Sequence, residues 1–194
     1  MIISEKQARL LRELDIVFVD DNRAVVEIIS KILKSFCVSS LRTASDGAEA
    51  LALMSESPAN LVITDLNMRP MNGLALTQKI RSGDGGIDPR IPVIALTGNS
   101  SQESIKAALL AGINGIMVKP VEPQAMVNRI DKVINSRVIY QLHGSQYVAK
   151  SKATDASSTD LVYDGLLPRA KVHETKTVEN TPDTSQEGDA WVLD

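Results

Sequence analysis

Five short, mostly apolar runs recur along the first two thirds of this chain: Ile16 to Val19, Ser40 to Thr43, Leu61 to Thr64, Val93 to Leu96 and Gly115 to Val118. Each is followed by a longer stretch in which apolar residues return with the period of a helix. This alternation constrains the fold more than any other feature. A strand that is apolar on every residue has to be covered on both faces, and IVFV, LVIT and VIAL meet that description. Strands alternating with helices then predict an α/β domain, a doubly wound parallel sheet of five strands between two helical layers.

The intervening helices are read at Arg23 to Phe36, with Val25, Ile28, Ile29, Ile32 and Leu33 on one stripe, then Ala48 to Met54, Leu74 to Arg81, Glu103 to Leu110 and Pro123 to Ile134. Asp46 with Glu49, and Ser100 with Glu103, have the spacing of N-terminal capping boxes. Gly112 stands where a helix is expected to stop. Residues 4–14 are expected to add a leading helix. The domain is therefore bounded at residues 14–139, with 1–13 as an N-terminal helical extension.

From residue 140 to 194 the chain turns to Ser, Thr, Asp, Lys and Glu with isolated apolar residues. Too little apolar surface is available there to offset the entropy of ordering it, so this tail is expected to be disordered and to hold no effector domain. Residues 1–139 carry 16 Lys and Arg against 15 Asp and Glu, whereas the tail carries 5 against 9. The net charge of −3 and the lack of a DNA-reading module give no reason to expect direct nucleic-acid binding. No apolar run approaches the ~20 residues of a membrane span, and the N-terminus does not read as a secretory signal. A single cysteine, Cys37, fits a reducing compartment, and a cytoplasmic location is expected. His143 and His173 both lie in the tail, too far apart in sequence to suggest a transition-metal site. Trp191, flanked by acids, has the character of a short docking motif, though a segment without a role is the favoured reading.

In a doubly wound sheet, ligands bind outside the carboxyl ends of the strands. Here the first strand ends in Asp20-Asp21, the third in Asp65, the fourth in Thr97 and the fifth in Lys119-Pro120. Three carboxylates crowded against one lysine call for a further cation. Mg²⁺ suits the set, since it takes oxygen ligands, keeps several waters and needs only one or two carboxylates. Asp21 and Asp65 are the expected direct ligands, Asp20 acts directly or through water, and the chain near Asn67 offers a backbone carbonyl. A metal-assisted aspartate can attack phosphorus to give an acyl phosphate. Asp65 is assigned that attack, with Lys119 and Thr97 meeting the charge on the transferred oxygens. Taken singly, each element has an ordinary alternative. Asp20-Asp21 could form a turn and helix cap, Lys119 could be solvated, and Thr97-Gly98 could be a strand exit.

Taken together, DIVFVDDNRAVVEIISKIL, LVITDLNMRPMNG, IPVIALTG and GIMVKPVEP, in that order, resemble the receiver domain of bacterial two-component response regulators. The resemblance covers about residues 14–137, and 44 residues separate Asp21 from Asp65 and 22 separate Thr97 from Lys119, as is typical of the family. It implies a flavodoxin-like sheet of strand order 2-1-3-4-5, Asp65 as phosphoacceptor, Asp20 and Asp21 as the acidic pair and Thr97 as the switch hydroxyl. It also implies Lys119 as the conserved-type lysine before a cis proline. A histidine kinase or histidine phosphotransfer protein upstream and a protein target downstream are implied as partners. Output would pass through the face made by the helix at 103–110, the fifth strand and the last helix.

Two positions depart from the pattern. The loop after the acceptor usually reads Met-Pro-x-Met-x-Gly, whereas Met68-Arg69-Pro70-Met71-Asn72-Gly73 shifts the proline and introduces a cation. Ile116 stands where the family often has an aromatic that reorients on activation. A phosphoacceptor switch, not an enzyme beyond self-phosphorylation and self-dephosphorylation, is the leading reading. An aspartate-based phosphatase is less favoured, because Asn67 replaces the second carboxylate such enzymes place two residues past the nucleophile. A docking module that no longer cycles is disfavoured by the complete acidic set.

Overall fold

The chain is described from a computed structural model covering residues 3–98, 101–136, 139–143 and 146–150. The elements follow in the order α1 (Glu5–Arg12), β1 (Asp15–Val19), α2 (Arg23–Ser35), β2 (Ser40–Ala44), α3 (Gly47–Glu56), β3 (Leu61–Asp65) and α4 (Gly73–Ser82). A short 3-10 turn, Asp84–Gly86, leads to β4 (Val93–Thr97), α5 (Gln102–Leu110), β5 (Gly115–Val118), α6 (Pro123–Asn135), β6 (Ile139–His143) and β7 (Gln146–Lys150). The five anticipated strands pair in parallel in the order β2-β1-β3-β4-β5. The order reverses between β1 and β3, which opens a crevice at the carboxyl ends of those two strands.

Successive side chains of a strand point to opposite faces, and the core divides accordingly. On one face Val17, Val19, Val62, Val93, Ala95 and Ile116 pack against α3, α4 and α5 through Met54, Leu76, Ile80, Ile105 and Ala108. On the other, Ile16, Phe18, Leu61, Ile63, Ile94 and Leu96 meet α1, α2 and α6 through Leu11, Leu33, Met126, Ile130 and Val133. Strands β1, β3 and β4 are buried nearly end to end, which is why their sequences carry no polar alternation.

The caps differ in detail from their sequence signatures. Asp46 accepts hydrogen bonds from the amides of Ala48 and Glu49, but the Glu49 carboxylate accepts from the amide and hydroxyl of Ser45 rather than closing the box on Asp46. Helix α5 is capped by Ser101, whose side chain accepts from the Ser104 amide, one residue later than expected. Gly112 takes a φ of 91° just past α5, the left-handed conformation expected of a residue that ends a helix.

One region departs from expectation. Residues 139–150, where an irregular tail was expected to begin, contain the antiparallel hairpin β6–β7. Tyr140 anchors it: its ring lies 5.2 Å from the Arg81 guanidinium carbon, and its hydroxyl accepts from Asn114 Nδ2 at 2.6 Å. Tyr140 thus gains a surface from the domain that the hairpin could not make alone. Residues 151–194, with His173 and Trp191, lie outside the described residues.

Candidate functional site

The carboxyl ends of β1, β3, β4 and β5 deliver their terminal side chains to one edge. Register places Val19 beside Thr64, so Asp20 and Asp65 leave neighbouring strands at the same level. The Asp20 amide still donates to the Ala44 carbonyl at 3.1 Å, holding the chain to β2 as it exits the sheet. Asp20 is buried at 2% exposure, while Asp21 is exposed.

The competing reading of Asp20-Asp21 as a helix cap is answered by Asn22. It is the Asn22 side chain that accepts from the amides of Ala24 and Val25 at the start of α2. Asp20 Oδ1 accepts from the Asn22 amide at 2.9 Å, which leaves Oδ2 aimed across the crevice. There it meets Lys119 Nζ at 2.7 Å.

The same ammonium lies 3.0 Å from Asp65 Oδ1. Lys119 is positioned by its own backbone, whose amide donates to the Thr97 carbonyl at 2.8 Å, and the Lys119–Pro120 peptide is cis. Burial works to lower the Lys119 pKa, but hydrogen bonds to Asp20 and Asp65 and the charge of both carboxylates outweigh it, so the net shift is upward. Lys119 is therefore not a solvated lysine at a turn.

Asp65 is 6% exposed, and its other oxygen, Oδ2, accepts from the Asn67 amide at 3.0 Å. Its backbone carbonyl accepts from the Thr64 hydroxyl at 2.9 Å. A Cβ added at Gly73 would stand 2.2 Å from that carbonyl oxygen, so the close approach of α4 to Asp65 requires glycine. Thr97 ends β4 at 1% exposure and pairs with Val118, immediately before Lys119. The fold thus brings Asp20, Asp65 and Lys119 into direct contact, sets Thr97 on the adjoining strand end and leaves Asp21 exposed beside them. Asn22 and Thr64 escaped the sequence reading, which took Gly73 only as part of the loop pattern. Asn22 carried the signal of a capping residue one position before a helix, and Gly73 that of a glycine at the entry of α4.

Among the described residues no three acidic, histidine or cysteine side chains converge as a ready-made metal cluster. Mg²⁺ does not require one, because water and carbonyl oxygens complete its octahedron. The donor set fits: every side chain at the edge offers oxygen except Lys119, and three carboxylates against one ammonium leave a formal surplus of two negative charges. Ile116, fully buried on β5, faces the α3–α5 layer of the core. Arg69 is exposed, and the Arg69–Pro70 peptide is cis, a second such bond not foreseen from the sequence.

Comparison with known proteins agrees with this geometry. A family model described as response regulator receiver domain matches residues 16–131. The chemotaxis protein CheY-3 of Vibrio cholerae is 30% identical over 127 residues, covering 66% of this chain and 96% of that protein. Chemotaxis protein CheY of Pseudomonas aeruginosa is 30% identical over 118 residues, covering 61% and 94%. Among solved structures, the receiver domain of the sensor histidine kinase PA1611 from Pseudomonas aeruginosa superposes with a TM-score of 0.58 at 26% identity. It covers 64% of this chain and 99% of that one, and it carries a magnesium ion coordinated in its active-site cleft.

Proposed function

Because this chain belongs to the response regulator receiver family, we propose that it is a phosphorylation switch in which Asp65 accepts a phosphoryl group from a histidine kinase or histidine phosphotransfer protein. The observation that carries the reading is one ammonium shared by two carboxylates: Lys119 Nζ stands 2.7 Å from Asp20 and 3.0 Å from Asp65. An ammonium so placed holds the acceptor carboxylate in position and lies ready to pair with an oxygen of an incoming phosphoryl group.

An Asp65 carboxylate oxygen attacks phosphorus as the bond from phosphorus to the donor nitrogen breaks. The electron pair leaves with the imidazole, which takes up a proton. No general base is needed, since a carboxylate has no proton to lose. Lys119 and the Thr97 hydroxyl meet the oxygens of the transferred group. Hydrolysis reverses the state: water attacks phosphorus, the bond to Asp65 breaks, and the carboxylate and inorganic phosphate are restored.

Asp20, Asp21, Asp65 and the backbone carbonyl near Asn67 would hold Mg²⁺, which when bound neutralises phosphoryl oxygens as a Lewis acid. The structural relative with magnesium in its cleft supports this assignment. Output passes through contacts made by α5, β5 and α6 with a cytoplasmic protein target. The protein acts as a switch rather than a turnover enzyme, consistent with Asn67 two residues beyond the acceptor.

Mass spectrometry of the full chain after exposure to acetyl phosphate tests acceptor and metal together. One added phosphoryl group on Asp65 that needs Mg²⁺ and vanishes in Asp65→Asn is expected. Phosphate on any other residue would refute the assignment.

A further inference from the structure

The hoop of chain after the acceptor is pinned at both ends and in the middle. The Leu66 amide donates to the Leu96 carbonyl at 3.2 Å, and the Gly73 amide returns to the Leu66 carbonyl at 3.4 Å, which closes the loop on itself. Between them Met68 is buried at 3% exposure. The Gly47 amide donates to the Met71 carbonyl at 3.1 Å, and Asn72 caps α4 by accepting from the Ala75 amide. The outer turn of the hoop faces water: Asn67, Arg69 and Pro70 are exposed, as is Asn72 at the entry of α4.

Arg69 is the one charged residue of the hoop, and among the described residues it forms no ion pair. Its backbone lies within about 11 Å of Leu66 by chain length alone, and the closure at Gly73 holds it on the acceptor's side of the molecule. Lys119, by contrast, is already committed to Asp20 and Asp65. An approaching phosphoryl donor therefore meets Asp21 as an exposed anion and Arg69 as an exposed cation.

We propose that Arg69 is a specificity residue for the phosphoryl donor, attracting small dianionic acyl phosphates to Asp65 and pairing with a phosphoryl oxygen as they react. The inference rests on Asp65 being the acceptor. A guanidinium matches phosphate geometry with two parallel donors. It also offsets the repulsion that the acidic edge exerts on a doubly charged donor. In the reaction, Asp65 oxygen bonds to phosphorus, the bond from phosphorus to the acyl oxygen breaks, and the carboxylate leaves with the electron pair. Arg69 takes no part in proton transfer.

The test is the rate of Asp65 labelling from acetyl phosphate, followed in wild type, Arg69→Gln and Arg69→Lys with Mg²⁺ present. Labelling in Arg69→Gln is expected to slow roughly three- to tenfold at low ionic strength, the size of effect one charge exerts near a protein surface. Arg69→Lys should recover most of the rate. Added salt should slow the wild type and Arg69→Lys more than Arg69→Gln, since screening removes only what a charge supplies. Phosphoramidate, which carries less net negative charge, should separate the variants less.

Equal thermal stability of the three proteins removes a folding explanation, and a folding defect would leave the salt dependence unchanged. Asp65 labelling at the wild-type rate in Arg69→Gln at low salt overturns the inference and leaves the acceptor assignment standing. A wild-type protein not labelled at Asp65 overturns both.

Discussion

Lys119 holds two carboxylates with a single charge, and its removal exposes how much of the site it balances. Asp20 is almost wholly buried, with its side chain 1% exposed, whereas the Lys119 side chain retains 25%. Lys119→Met should therefore destabilise the fold by about 2 to 3 kcal/mol, toward the low end for a broken buried pair because the lysine remains partly solvated. Urea unfolding at constant m-value measures it. The pH dependence has a definite sign. The Lys119 pKa is raised above its ordinary value near 10.5, so the pair's contribution is complete below that pH and is lost as pH rises through the folded-state value. The stability difference between wild type and Lys119→Met should stay level at neutral pH and shrink above about 10.5. A difference that grew in alkali would reverse the assignment. At this scale the sequence was informative because strand ends are fixed by burial: once IVFV, LVIT and VIAL are central strands, Asp20, Asp65 and Thr97 have to share an edge. Which acid takes the lysine was not readable, since Asp20 and Asp21 differ only in which face of the chain they leave.

Helices and strands were legible within one or two residues wherever burial on a sheet face dictated their apolar pattern, as in α2 and β3. The hairpin was not, because β6 and β7 acquire their support from elsewhere in the chain. Arg81 supplies much of it. It lies in the last turn of α4, yet it is 2% exposed, and its guanidinium donates to the carbonyls of Pro89, Ile91 and Gly112 and to Asn114 Oδ1. Burial lowers its pKa, against the charges of Tyr140 and Asp88. Asn114 in turn accepts from the Val93 amide, so one network ties the entrances of β4 and β5 to the hairpin. Tyr140→Phe keeps the ring over Arg81 and deletes only the hydroxyl, a loss of about 1 kcal/mol. Amide exchange in β6 should then quicken about fivefold while β1 and β3 exchange as before. Exchange unchanged in β6 would mean that the Asn114 contact does not hold the hairpin. Arg81→Leu should act more broadly, since it strands three carbonyls of the loops that feed the sheet.

The two edges of the sheet divide the labour of the whole molecule. The Arg81 network closes the entrances of β4 and β5, and no acid takes part in it beyond the outlying Asp88. The opposite edge gathers Asp20, Asp21, Asp65 and one ammonium, an arrangement that carries surplus negative charge into the folded state and releases it on unfolding. A divalent cation that binds this edge but not the unfolded chain must stabilise the protein by mass action. At a hundredfold excess over its dissociation constant, Mg²⁺ should add about 2.7 kcal/mol, or roughly 5 to 10 °C in Tm for a domain of this size. Chelation should reverse the shift, and sodium at matched ionic strength should not reproduce it, because screening alone has no site to fill. Asp21→Ala separates coordination from general charge. Asp21 is exposed, and among the described residues it makes no ion pair, so its loss should leave the metal-free Tm nearly unchanged. If Asp21 is a ligand, that variant needs more Mg²⁺ to reach the same shift. A titration curve identical to wild type would remove Asp21 from the coordination shell and leave the buried Asp20 and Asp65 to hold the metal with water.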